Sequence, residues 1–167
     1  MQATRTYVQL TDARQFRPAF GDYRTFDVRH IPNPGAELYR ECYRTVGKDY
    51  HWRDRWDWTD DEIARHLATP GITLHVAQLD GRFVGWYELR RVVEDDSVEI
   101  AYFGLAVQFI GRGFGGDLLS RTIASAWDWG ARRVWVHTCT LDHPSALANY
   151  QSRGLVIYDD QTHTQDR

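Results

Sequence analysis

The segment Gln108-Phe-Ile-Gly-Arg-Gly-Phe-Gly-Gly116 places glycines at 111, 113, 115 and 116, between an apolar run and a run of helical period. Backbone N–H groups at a helix start are unpaired and carry positive potential, so a chain stripped of Cβ atoms there can cradle a phosphate. A plain glycine-punctuated loop is the simpler reading, and the position between strand and helix argues against it. Gly111, Gly113 and Gly116 also fit the G-x-G-x-x-G of dinucleotide sites. That fold needs a carboxylate about twenty residues further on to hold a ribose. Val134-Trp-Val-His-Thr138 supplies none before Asp142, and too little chain follows the cluster to build that fold's two halves. A dinucleotide site is therefore excluded.

Three titratable residues in strand-like runs are candidates for proton transfer. Glu99 is the one acid in the apolar stretch Val98–Val107, and Glu88 stands in Trp86-Tyr-Glu-Leu89. His137 is the central-strand side chain that titrates near neutrality unaided, though a core histidine satisfied by its neighbours fits as well. Cys139 reads as a small packed hydrophobe. The segment His51-Trp-Arg-Asp-Arg-Trp-Asp-Trp58 is dense in aromatics and charge without a clean period.

The elements that must hold these residues follow from pattern. Short strand-like pieces span Tyr7–Leu10 and Tyr23–Ile31, Pro32–Gly35 is a turn, and Glu37–Val46 reads as a helix. Thr59-Asp-Asp-Glu62 is a capping box that starts a helix ended by Pro70. Ile72–Leu79 and Arg82–Val92 form a hairpin about Asp80-Gly81. Phe114, Leu118, Leu119, Ile123, Ala126 and Trp127 recur at helical spacing up to Gly130. A strand over Arg132–Thr140 and a helix over Pro144–Arg153, closed by Gly154, complete an α/β (α+β) domain spanning 1–167. The remainder has room for one short strand, so the C-terminal hairpin reads as shortened and the segment 1–31 as an N-terminal extra. That segment, or a partner subunit in a homodimer, would cover the open edge.

Bulk composition is that of an ordinary folded domain: 43% hydrophobic, 26% charged, net charge -3. Such a balance gives no reason to expect nucleic acid or an anionic membrane surface as partner. Two cysteines, Cys42 and Cys139, suggest neither a disulfide framework nor a metal site. With no apolar signal core and no membrane-length run, a cytoplasmic protein is expected.

Gln108-x-x-Gly111-x-Gly113 resembles the Q/R-x-x-G-x-G/A signature of the GNAT superfamily of acyl-CoA-dependent N-acetyltransferases. Gly104-Leu-Ala-Val107 is similar to the end of that family's fourth strand. Ala146-Leu-Ala-Asn-Tyr150-Gln-Ser-Arg-Gly154-Leu155 is similar to its A-x-x-x-Y-x-x-x-G-F motif, with Leu155 in place of Phe. The resemblance covers about residues 6–160. It implies a mixed, mostly antiparallel sheet that splays between the family's fourth and fifth strands, with helices on both faces. It implies acetyl-CoA as cosubstrate and no metal. Backbone groups of Leu105, Ala106 and Val107 would pair with the pantetheine arm and polarise the thioester carbonyl. Gln108, Gly111, Arg112, Gly113, Phe114, Gly115 and Gly116 would form the pyrophosphate cradle.

By the same resemblance Tyr150 matches the family's general-acid tyrosine, which protonates the leaving thiolate; filling the core is its bland alternative. Glu99 lies on the strand where several members carry a catalytic glutamate, with pairing to an arginine as the alternative. His137, Glu88 and a water relay are the rival bases. His143 stands where many members have Asn, and with Asp142 it is also placed to cap the last helix. The acceptor side of such a fold would be formed by His51–Trp58. Trp52, Trp56 and Trp58 would wall a small primary amine, and Asp54, Asp57 and Glu88 would attract it. In the alternative, the tryptophans tuck into the core while Arg53 and Arg55 stay solvated. The resemblance thus points to acetyl transfer to a small-molecule amine. A non-catalytic acyl-CoA-binding domain, or an enzyme acting on a protein amine, is the alternative.

Overall fold

In the computed structural model, which describes residues 2–21 and 26–164, the chain runs β1 (Gln2–Leu10), β2 (Phe26–Ile31), α1 (Ala36–Gly47), α2 (Asp60–Leu67), β3 (Ile72–Leu79), β4 (Arg82–Val92), β5 (Ser97–Leu105), α3 (Phe114–Asp128), β6 (Arg133–Cys139), α4 (Ala146–Ser152) and β7 (Val156–Thr164). The strand-like reading that began at Tyr23 falls, up to Thr25, outside the described residues. No helix among those described is long and apolar enough to cross a membrane.

Local chemistry explains most boundaries. Asp80 and Gly81 both take positive φ, 51° and 76°, the backbone of a two-residue turn whose twist matches its strands. At α2 the Thr59 hydroxyl accepts from the Glu62 N–H at 3.2 Å while the Glu62 carboxylate accepts from the Thr59 N–H at 2.7 Å, completing the capping box. The last helix begins at Ala146 rather than Pro144, because His143 Nδ1 takes the Ser145 N–H at 3.1 Å. Asp142 does not cap it.

The strands form one sheet in the order β2-β3-β4-β5-β6-β1-β7. Every pairing is antiparallel except β5 with β6. Alternate residues of β4 face opposite layers. Trp86 packs with Tyr39, Cys42, Tyr43 and Val46 of α1 and Ile63 of α2, while Tyr87 and Leu89 join Leu118, Leu119 and Ile123 of α3. Each fully buried side chain of this size contributes about 1.5–3 kcal/mol of transfer free energy.

Two features differ from expectation. The final strand is nine residues long rather than short, and β1 pairs with it from Gln2 to Gln9. The strand beside β6 is also β1, so the N-terminal segment occupies an interior position of the sheet. The third feature is the expected splay. β5 and β6 pair only at Ser97–Arg133, Val98–Val134 and Glu99–Trp135. Beyond Glu99 they part, β5 staying with β4 and β6 with β1. The β4–β5 register slips between Glu88 and Leu89, opposite Tyr102 and Ile100, and such a bulge bends its strand at the point where the gap opens.

Candidate active site

The gap is the mouth of a cavity of about 890 Å³ that passes between the splayed strands. On the α3/α4 face its walls include Gly111, Gly115, Gly116, Asn149 and Tyr150. On the opposite face they include Trp52, Asp54, Trp58 and Arg5. Glu99, Val136 and His137 lie at the passage between the two. A long ligand entering from one face and a small one entering from the other would meet there.

The glycine turn ends in α3, whose N-cap is Gly113 at φ 84°; Gly111 has φ 79°. Both conformations are costly for residues with a Cβ, by roughly 1–2 kcal/mol each. A Cβ at Gly111 would meet nothing within 4 Å, so open space borders this backbone on the side where phosphate oxygens would lie. At Gly116 a Cβ would stand 2.8 Å from Arg153 Nη1, which brings a guanidinium to the first turn of the helix. The Asn149 amide donates to the Gly115 carbonyl at 3.1 Å and ties α4 to this turn. The donor set, backbone N–H groups with an arginine behind them, suits a pyrophosphate.

Other residues expected in the cradle lie apart from it. Phe114 is buried in the core with its ring stacked on Phe26 at 5.8 Å, leaving only its backbone to face a ligand. Gln108 is exposed, and the Arg112 guanidinium lies over the Phe109 and Phe114 rings at 5.4 and 5.2 Å. Neither lines the cavity, nor do Val107 and Gly113. The Ala106 N–H already donates to the Val84 carbonyl at 2.8 Å, and its carbonyl accepts from Phe109. Ala106 is thus spent within the fold, and Leu105 is the member of that trio on the cavity wall.

Tyr150 is buried, edge-on to Phe103 with ring centroids 6.3 Å apart. Burial, with the Asp142 carboxylate adding to it, pushes its hydroxyl above the ordinary range, so the group stays protonated. Glu99 is bound by Arg90, Nε at 2.7 Å and Nη2 at 2.6 Å from Oε2. The His137 ring lies 5.4 Å from Tyr7. Burial holds its pKa below 6.5 and the Arg5 charge adds to that, against the pull of Glu99, Asp142 and Asp54. His137 is therefore a neutral imidazole near pH 7.

Glu88, expected on the acceptor wall, lies elsewhere. Its carboxylate is enclosed by the Tyr39 hydroxyl at 2.8 Å, Arg55 Nη1 at 2.9 Å and His66 Nε2 at 3.0 Å. Burial raises its pKa, but the His66 hydrogen bond and the Arg55 charge outweigh that and hold it below the usual carboxylate range. Arg55 is correspondingly not a solvated residue: its guanidinium is sandwiched 4.9 Å from Trp58 and 4.6 Å from Tyr102. Trp52 and Trp58 line the cavity, whereas Trp56 turns to Tyr43, Arg44 and Arg53. Asp142 links the two sides, accepting from Thr138 Oγ1 and the Cys139 N–H at 2.8 Å each and from Trp52 Nε1 at 3.4 Å.

The acetyltransferase (GNAT) family profile matches residues 34–155, most of the chain and all of the cavity's walls but Arg5. The chain belongs to the GNAT family. An uncharacterised N-acetyltransferase of Mycobacterium tuberculosis is 37% identical over 74 residues, 44% of this chain and 47% of that protein. This GNAT chain thus spans about half the length of the curated relatives it matches. Among solved structures, a GCN5-related N-acetyltransferase from Sphaerobacter thermophilus superposes with a TM-score of 0.72 at 16% identity, covering 95% of this chain and 49% of that one. An aminoglycoside acetyltransferase from an uncultured soil sample superposes at 0.64 with 15% identity, covering 77% and 87%. At such identities the likeness is one of fold. Arg5 and Asn149 on the cavity wall, and Arg153 beside Gly116, had no signal in the sequence read as motifs, since only tertiary contact brings them there.

Proposed function

We propose that this GNAT domain transfers an acetyl group from acetyl-CoA directly to the primary amine of a small molecule. The observation that carries this reading is the passage through the sheet, with a glycine cradle on one face, aromatic walls on the other and proton-handling groups between. Acetyl-CoA supplies the activated acyl group. Gly111 to Gly116, with Arg153, would hold its pyrophosphate, and the strand edge at Ile100–Leu105 would guide the arm. His137, neutral and unprotonated, takes the proton that the amine nitrogen loses once its bond to the carbonyl carbon has formed. Tyr150 gives its proton to the sulfur as the C–S bond breaks. Burial disfavours a tyrosinate and a thiolate alike, so the transfer does not run far uphill. Glu99, held by Arg90, shapes the passage. The proposed compartment is the cytoplasm, consistent with two free cysteines.

The direct test is CoA release from acetyl-CoA across a panel of primary amines, followed with a thiol reagent. Release above the rate without amine supports the reading. Tight CoA binding with no release for any amine would sink it and leave a binding domain.

A further inference from the structure

Arg5 distinguishes itself among the cavity's cations. Arg55 is neutralised by Glu88 and Arg90 by Glu99, at 2.9 and 2.6 Å. Arg53 is exposed, its head over Trp56. Arg5 has no ion pair among the described residues, and its Nε is buried without a hydrogen-bond partner. It comes from β1 opposite Cys139, two residues from Tyr7 opposite His137, and so projects on the face that carries His137 and Cys139, both of which line the cavity. Its terminal nitrogens, unlike Nε, are not sealed in this way and have no hydrogen-bond partner among the described residues, so a ligand oxyanion in the cavity can pair with them. The anions are divided as unevenly. Glu99 is spent on Arg90 and Asp142 on Thr138, the Cys139 N–H and Trp52. Asp54 lines the cavity, exposed, with no ion pair among the described residues. The acceptor side therefore offers one half-buried cation without an ion pair and one uncommitted acid. Both act electrostatically on His137, which lies between them in charge.

We propose that the acceptor is a primary amine that also carries a carboxylate, and that Arg5 is the specificity-determining residue that pairs with that carboxylate through its two terminal nitrogens. The proposal deepens the acetyl-transfer reading and rests on it for the identity of the amine. A planar guanidinium fork suits this contact better than an ammonium, and a site built for a charged oxygen rejects the neutral analogue strongly.

The test compares 4-(aminomethyl)benzoate with 4-(aminomethyl)benzamide, and 6-aminohexanoate with its amide, by calorimetric binding to the protein saturated with CoA. In the unsubstituted protein at least one carboxylate should bind about tenfold more tightly than its amide. In Arg5→Gln that ratio should fall to about one, with Arg5→Lys between. A ratio taken within one variant cancels any general loss of folded protein. Carboxylate binding should also raise the His137 pKa read by NMR, because it neutralises Arg5, and should fail to do so in Arg5→Gln. No carboxylate preference in either pair, an unchanged ratio in Arg5→Gln, or a loss confined to CoA affinity would each overturn the proposal. Because binding needs no turnover, an Arg5-dependent preference without CoA release would defeat acetyl transfer alone. Turnover without that preference would defeat this proposal alone.

Discussion

Arg55 Nη1 lies 2.9 Å from Glu88 Oε1 in the interior, with side chains 16% and 1% exposed. The pair fastens the His51–Trp58 segment to the middle of the sheet, so the acceptor wall is held by a buried charge rather than by its tryptophans alone. Removing one partner leaves the other buried and unpaired. Glu88→Ala and Arg55→Ala should each cost about 3–5 kcal/mol in urea denaturation, and Glu88→Leu with Arg55→Met together less than the sum of the single losses. Strict additivity would show that the two are not coupled. Because the folded pKa of Glu88 lies below its unfolded value, its contribution is complete above a pH of about 4.3 and is lost as pH falls through the folded pKa.

Tyr150 touches the passage and stays protonated, so its hydroxyl is a proton donor and its ring a piece of core. Tyr150→Phe keeps the ring. It should lower kcat by about 10²–10⁴ while CoA affinity moves little. An unchanged kcat removes Tyr150 from the acid role.

The base is separable by its pH profile. With a folded pKa held below 6.5, His137 as base would put the acidic limb of kcat/KM below pH 6.5, the limb falling as protonation consumes the free ring. His137→Ala should abolish that limb and Glu99→Gln should keep it. The opposite pattern would assign the proton to Glu99 and leave His137 a wall residue.

At the cradle, Gly111→Ala adds a methyl where nothing lies within 4 Å, so its stability cost should be only the roughly 1–2 kcal/mol of a left-handed alanine. If the turn holds the pyrophosphate as proposed, its effect on CoA affinity should exceed tenfold, because the same methyl would enter the space left for phosphate oxygens; affinity is read by calorimetry. A stability loss with unaltered affinity would make this turn structural.

Much of this was legible in the chain order because it depends on local rules. The capping box at Thr59, the Asp80-Gly81 turn, the period of α3 and the glycines before it are written in short windows, where neighbours three or four positions apart decide the outcome. The signature at Gln108–Gly113 and the motif at Tyr150 named the family, whose profile spans 34–155. Glu88, Arg55 and Arg5 could not be read that way. Glu88 has a strand residue's alternation and an acid's chemistry, yet which face of the sheet α1 and α2 cover determined that it is sealed with Tyr39 and His66. Arg55 looked solvated because charge predicts exposure unless a buried partner is in reach, and its partner is 33 residues away. Arg5 lies near the N-terminus with no motif about it, and only the insertion of β1 between β6 and β7 brings it to the cavity. Sequence alone thus determined most of the elements, the family and the glycine turn before α3. Tertiary packing decided which charges cancel and which remain for a ligand, because burial and pairing are properties of distant residues brought together.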